Sequence, residues 1–171
     1  MSAALTPPFA VACLVLCIAG LAKLRSPAAA VQALSVIGPG GSATLIRITA
    51  AGELALGAWS ISRPSALTAS AVGTFYVAFA GLSLLLARKR AACGCFGQDA
   101  APASGWQSVL SLILAAMAFA AAARAPYGIG WVVARGPADA LVLVAGIATS
   151  AYAVVLAYTQ LPRAWTAWGM R

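Results

Sequence analysis

Long apolar segments are the feature that most constrains how this chain can fold. There are five, and each is close to the ~20 residues that a helix needs to span a bilayer. They cover, approximately, residues 8–24, 43–62, 66–87, 106–123 and 138–161. Backbone polar groups must find partners within the chain in lipid, and the alternating pattern of a transmembrane barrel is absent. The sequence therefore predicts five membrane-spanning helices.

Composition supports the same class. The chain is 63% hydrophobic and 8% charged, with a mean hydropathy of +0.94, whereas about a quarter of the residues in a soluble domain are charged. We therefore expect an all-α, multi-pass integral membrane bundle embedded in the lipid bilayer. The net charge of +8 comes from basic residues at the ends of apolar segments, which is a membrane-anchoring pattern and not a nucleic-acid-binding one. The absence of histidine excludes histidine-based general bases, zinc sites and haem ligation.

Basic residues also predict the orientation of the helices. With five spans, the loop after the first helix, the loop after the third and the C-terminus share one side. That side carries eight of the eleven basic residues, and the other side carries Arg63, Arg124 and Arg135. The positive-inside rule therefore predicts that the loop after the third helix is cytoplasmic.

That loop contains the sequence Cys93-Gly94-Cys95-Phe96-Gly97, which is the main chemical motif of the chain. Two thiols one residue apart can cycle between dithiol and disulfide, or they can bind a soft metal ion. Glycine reaches the backbone dihedrals that so short a ring requires, and strained disulfides are the labile ones. Basic residues at 88–90 favour the reactive thiolate, although the end of a helix opposes them. The structural alternative is a tight turn with two small residues.

Two further thiols, Cys13 and Cys17, lie four residues apart in the first segment, so they share a helix face. They cannot readily bond to each other across one helical turn. Cysteine at a helix contact is often only a small apolar residue. The functional alternative is a second thiol site that exchanges electrons with Cys93 and Cys95.

Glu53 is the acidic residue inside the second apolar segment. A charge at mid-helix costs about 2.5–3.5 kcal/mol on insertion scales, so it should face the bundle and have a partner. Lys23 and Arg47 are the candidates. Glu53 then either forms a structural ion pair or handles protons during thiol exchange. We also expect five glycines to permit close helix packing, namely Gly52, Gly57, Gly73, Gly81 and Gly146.

Three parts of the sequence resemble the methylamine utilisation MauE family, within the wider DoxX-like group. They are residues 19–27 around Lys23, the Glu53-Leu54 pair with Gly57, and the cysteine motif at 93–97. The resemblance implies a four-helix DoxX-like membrane domain over residues 1–125, in the bacterial cytoplasmic (inner) membrane. It also implies thiol or disulfide chemistry, typified by maturation of the disulfide-rich small subunit of methylamine dehydrogenase. Residues 126–171 then add an interfacial loop, a fifth transmembrane helix and a short tail of basic and aromatic residues.

Three function classes follow. The first is a membrane thiol–disulfide redox protein, with Cys93, Cys95 and Glu53 as catalytic residues, a thioredoxin-like partner and a quinone as candidate acceptor. The second is a carrier of mercury, copper or zinc that binds through Cys93 and Cys95. The third is a non-catalytic membrane subunit of a larger complex.

Overall fold

The protein is an all-α bundle, as the sequence predicts. The structure is a computed structural model that describes residues 3–38, 41–92, 94, 96, 103–124 and 126–167. Its helices are α1 (Thr6–Arg25), α2 (Ala28–Ser35), α3 (Ala43–Ser62), α4 (Ala66–Arg88), α5 (Gly105–Arg124), α6 (Ile129–Val133) and α7 (Pro137–Ala167). A 3₁₀ turn, Ala3–Leu5, precedes α1. No β-strand occurs in the part of the chain that the structure describes.

Local sequence signals explain where these helices begin. Prolines occupy the first turn of α1, where a missing backbone N–H costs nothing. The Ser42 hydroxyl accepts a hydrogen bond from the Leu45 backbone N–H at 3.1 Å and caps α3. Ser65 and Thr68 form a reciprocal capping box at the start of α4, with distances of 3.0 and 3.1 Å. The predicted segment boundaries therefore agree closely with the observed ones.

Four of the five predicted spans are long and apolar enough to cross a membrane, taken among the described residues. They include the helix at α5 and the fifth helix, α7. The exception is α3, which has the predicted bounds but contains Arg47 and Glu53, so its apolarity falls short. The last helix also extends to Ala167, beyond the predicted end at residue 161, because helical hydrogen bonding does not require apolar side chains.

The core is built around α1. Helix α1 packs along α3, and α4 packs along α5. The side chains of Phe9, Leu16, Tyr76 and Leu114 are almost fully buried where these helices meet. The Tyr76 hydroxyl donates to the Ala12 carbonyl at 2.6 Å, which joins α4 to α1.

Close helix approach depends on particular glycines. A Cβ at Gly57 would lie 2.5 Å from the Cys17 Sγ, and one at Gly73 would lie 2.9 Å from the Phe119 ring. The packing prediction was wrong for Gly52, Gly81 and Gly146, where a Cβ would meet nothing within 4 Å. It also omitted Gly20, whose Cβ would lie 2.7 Å from the Ala50 carbonyl oxygen. The position of a glycine in the sequence does not by itself say whether it lies on the helix face that meets a neighbour.

Successive spans alternate in direction, so α2, the start of α5 and the chain around Gly94 share one end of the bundle, here called the cysteine-loop end. The Lys89 Nζ donates to the Val36 carbonyl there at 2.8 Å. The Ala103 N–H donates to the Ala91 carbonyl at 2.8 Å. At the opposite end, the Tyr127 and Trp131 rings stack at 5.3 Å, and Arg135 covers Trp131 at 4.0 Å. This aromatic and basic group suits a membrane interface.

Candidate functional site

A buried ion pair lies near the cysteine-loop end. The Lys23 Nζ donates to both carboxylate oxygens of Glu53, at 2.6 and 2.7 Å. The two side chains are 8% and 3% exposed. The ammonium also sits 4.4 Å from the centre of the Phe79 ring, a cation–π contact. Of the two partners expected for Glu53, the structure places Lys23 against it, whereas Arg47 is exposed to the surroundings of the bundle.

Small residues allow this pair to form. Gly20 lies one helical turn before Lys23, and its missing side chain lets the backbone of α3 come close at Ala50 and Leu54. The close approach brings Lys23 beside Glu53 and removes both from the surroundings. Because a carboxylate and an ammonium neutralise each other here, α3 carries less uncompensated charge than its sequence indicates.

Gly94, the residue between the two motif cysteines, is buried and has a left-handed backbone with φ of +62°. A Cβ there would lie 2.5 Å from the Ala29 carbonyl oxygen and 2.8 Å from the Ala30 nitrogen. Two independent constraints therefore require glycine: the backbone conformation and the lack of space against the start of α2.

Gly94 and the ion pair line one cavity. Its volume is about 220 Å³, and its walls come from α1, α2, α3 and α4. Lys23, Glu53, Thr49 and Ala30 are among the lining residues, together with Gly94. The described structure thus brings three sequence-predicted features together: the helix-one lysine, the helix-three carboxylate and the glycine of the cysteine motif.

Cys93 and Cys95 themselves lie outside the described residues. Immediately before them, Arg88, Lys89 and Arg90 are exposed, and α4 ends at Arg88. Arg90 has a positive φ of 52°, so the chain turns sharply there.

The second thiol pair has a different setting. Cys13 is fully buried in the core, and Cys17 is partly buried. Both are free thiols. The Cys17 Sγ lies 3.7 Å from the Leu54 carbonyl oxygen, as a weak hydrogen bond. Lys23 follows Cys17 by six positions on the helix, which is about 9 Å along the axis. The Cys17 side chain lies in the α1–α3 contact beside Gly57, and the Cys13 side chain is part of the core. Among the described residues, no three His, Cys, Asp or Glu side chains cluster as a metal site would require.

A polar cluster in α5 and α7 was missed from sequence. The Tyr158 and Ser111 hydroxyls are 2.8 Å apart, and the Gln107 amide nitrogen donates to the Tyr158 carbonyl at 3.1 Å. All three residues are buried. The signal was present, because Gln107 and Ser111 are polar residues four apart in an apolar segment and so share a face that should turn inward.

With this geometry established, comparison with known proteins identifies the group. A family model described as methylamine utilisation protein MauE matches residues 1–125. The chain belongs to the MauE family. Membership indicates a membrane protein linked to methylamine utilisation, and the match covers α1 to α5, the ion pair and the cysteine motif. Searches among curated proteins and among solved structures found no significant match.

Proposed function

We propose that this MauE-family chain is a membrane thiol–disulfide redox protein in which Cys93 and Cys95 are the exchanging pair. The observation that carries the proposal is the placement of Gly94. The glycine between the two thiols is buried, left-handed, and part of the same cavity wall as Lys23 and Glu53. A carboxylate and an ammonium therefore line the same cavity as the residue that joins the two thiols, and these groups can support the proton transfers of thiol exchange.

In the direction that oxidises the partner protein, the exchange has two steps. A thiolate of a thioredoxin-like partner attacks the Cys93–Cys95 disulfide, which forms a mixed disulfide and releases one thiolate of the pair. A second partner thiolate then attacks the mixed disulfide and releases the other cysteine. The partner loses two electrons and two protons, and the Cys93–Cys95 pair gains them. A membrane quinone would restore the disulfide by taking up two electrons and two protons as it becomes a quinol.

Glu53 is assigned the proton-handling role in this scheme. Its carboxylate can accept a proton from a thiol as the thiolate forms, and Lys23 keeps the carboxylate oriented towards the cavity. The variant Glu53→Gln retains an oxygen that accepts from Lys23 but cannot take up a proton. We expect it to fold, at a lower stability because the Lys23 ammonium loses its counter-ion, and to slow thiol exchange. An unchanged exchange rate would leave Glu53 with a structural role alone.

The central test is capture of the partner as a mixed disulfide. In the reverse direction of the same exchange, the thiolate left in Cys93→Ser or Cys95→Ser attacks the disulfide of an oxidised partner and releases one partner thiolate. One of these variants should accumulate the covalent complex because the cysteine that would resolve it is missing, and the double variant should abolish exchange. Cys13→Ala with Cys17→Ala is the matched control and should leave capture unchanged. Exchange that persists in the double Cys93/Cys95 variant, with loss of stoichiometric soft-metal binding, would replace this proposal with the metal-carrier function.

The proposal assigns the cysteine-loop end to the cytoplasmic face, and the basic residues at that end support this orientation. Arg88, Lys89 and Arg90 are exposed at that end, where anionic headgroups and the positive-inside rule favour them. A membrane-impermeant thiol reagent applied to intact cells should therefore leave Cys93 and Cys95 unlabelled, and labelling should appear after the membrane is opened. Labelling from outside would reverse the topology and assign the exchange to the outer compartment.

A further inference from the structure

Helix α7 lies beyond the residues matched by the family model, yet it contacts the cysteine motif. The ring of Phe96, which directly follows Cys95, lies 5.4 Å from the ring of Tyr158 on α7, at an interplanar angle of 55°. This is within the distance range of favourable aromatic pairs. The motif is therefore attached to α7 as well as to α2, where Gly94 is fitted.

Tyr158 is well placed to hold Phe96 because it is fixed at both ends. Its hydroxyl lies 2.8 Å from the Ser111 hydroxyl, and its backbone carbonyl accepts from the Gln107 side chain at 3.1 Å. It is 6% exposed. Tyr152, on the same helix, is 63% exposed. The contact with the motif is thus made by a rigid tyrosine that α5 anchors, on a helix whose other tyrosine points away.

Phe96 and Tyr158 also enclose the lysine of the ion pair. Together with Lys23, Phe79, Ser83 and Ser111, they line a void of only about 20 Å³. A void of this size holds about one water molecule at most. The α7 side of Lys23 is therefore closed, whereas the side lined by Gly94 opens into the cavity of about 220 Å³.

We propose that Tyr158 is a positioning residue for the thiol pair: through its contact with Phe96, it holds the motif backbone at Gly94 and Phe96 close to the Lys23–Glu53 pair, and in this way it sets the access of reagents to the thiols of Cys93 and Cys95. This inference rests on the proposed function for its role in exchange, but the positioning itself does not require a redox reaction. Helix α7 then completes the site that the family domain begins.

The test uses the full chain in which Cys13→Ala and Cys17→Ala leave Cys93 and Cys95 as the thiols. The reduced protein is treated with iodoacetamide, and the alkylation rate is measured beside the reduction potential of the pair. Tyr158→Ala and Phe96→Ala should each change the alkylation rate by about twofold to tenfold, the range that loss of one aromatic contact allows. Tyr152→Ala, the matched control, should leave the rate unchanged.

A double variant separates positioning from general loosening of the fold. If both residues act through their mutual contact, Tyr158→Ala combined with Phe96→Ala should change the rate no more than either single change. Tyr158→Phe keeps the ring, so its alkylation rate should stay close to that of the parent. If Tyr158→Ala fails to fold, Tyr158→Phe and Phe96→Leu are compared in its place. Phe96→Leu should still alter the alkylation rate.

The outcomes distinguish this inference from the proposed function. If the pair is redox-active but its alkylation rate and reduction potential are unchanged in the Tyr158 and Phe96 variants, the positioning role is overturned and the proposed function stands. A pair with no measurable disulfide couple, whose alkylation still depends on Tyr158, would overturn the redox function and keep the positioning role. Additive effects in the double variant would also overturn positioning through the Phe96–Tyr158 contact.

Discussion

Helices α1 and α7 are equally apolar but occupy opposite places in the bundle. Both reach a mean hydropathy of 2.2 over their most apolar 18 residues, yet 50% of that stretch is buried in α1 and 11% in α7. Exposed side chains on α7 include Leu141 and Val142, at about 70% exposure, whereas Leu16 on α1 is fully buried. Apolarity therefore establishes that a segment enters lipid, and it says nothing about whether lipid or protein surrounds it.

Small and polar residues account for the difference in burial between α1 and α7. Lipid is as apolar as leucine, so helices associate in a bilayer through close packing and hydrogen bonds. Helix α1 has Gly20 against α3, a lysine that pairs with Glu53 and a carbonyl that accepts from Tyr76. The contacts that secure α7 are fewer and centre on Ala151 and Tyr158.

The largest expected effect comes from enlarging a glycine at the centre. Gly57→Leu would place side-chain atoms where the Cys17 Sγ and the Cys13 carbonyl already lie, at 2.5 and 2.8 Å from the Cβ position. We expect loss of most folded protein, since α1 and α3 would be forced apart. Gly146→Leu on α7 is the control, because its Cβ meets nothing within 4 Å. Size-exclusion chromatography of both variants in detergent checks this, and equal yields would contradict the central role of α1.

Breaking the buried ion pair should come next. Lys23→Met leaves the Glu53 carboxylate without its partner and should lower the free energy of unfolding by about 3–5 kcal/mol. Combining it with Glu53→Leu should restore most of that loss, because no buried charge remains. Thermal unfolding in detergent measures both variants. A double variant as unstable as the single one would mean that packing, and not charge, is what Lys23 contributes.

Truncating a leucine compares the two helices directly. Leu16→Ala on α1 should cost about 2–5 kcal/mol, as for other fully buried leucines. Leu141→Ala on α7, where the side chain is 71% exposed, should change stability by less than ~0.5 kcal/mol. Denaturant-induced unfolding gives both values. A large loss at Leu141 would show that a protein surface covers α7 in its native setting.

The smallest effect concerns the two tyrosines of α7. Tyr158→Phe removes the hydrogen bond with Ser111 and should cost about 1 kcal/mol, whereas Tyr152→Phe should cost nothing measurable. The comparison of unfolding midpoints tests whether the hydrogen bond between Tyr158 and Ser111 holds the buried face of α7 against α5. Equal midpoints would assign the attachment to ring packing alone.

Much of the fold could be predicted from sequence because hydropathy and length act locally. Residues 43–62 were expected as a helix, and α3 has those bounds. Pairing between helices could not be predicted in the same way. Lys23 and Arg47 were both candidate partners for Glu53, and only the approach at Gly20 decides between them.

The candidate site shows the same division. The motif glycine was expected to need an unusual backbone, and Gly94 has it. That Gly94 would fit against Ala29, in a cavity shared with Glu53, depends on α2 and α3, which are distant in sequence. The contribution of Tyr158 depends on α7, a helix that begins about forty residues after the motif.

The Lys23–Glu53 bond has a consequence for how the protein is made. Helix α3 lacks the apolarity of the other long helices, and its carboxylate opposes its transfer into lipid. Synthesis proceeds from the N-terminus, so α1 and its ammonium group are already available when α3 emerges. The order of the chain thus makes the Lys23 counter-ion available before Glu53 is synthesised, and α1 can assist the insertion of α3 into the membrane.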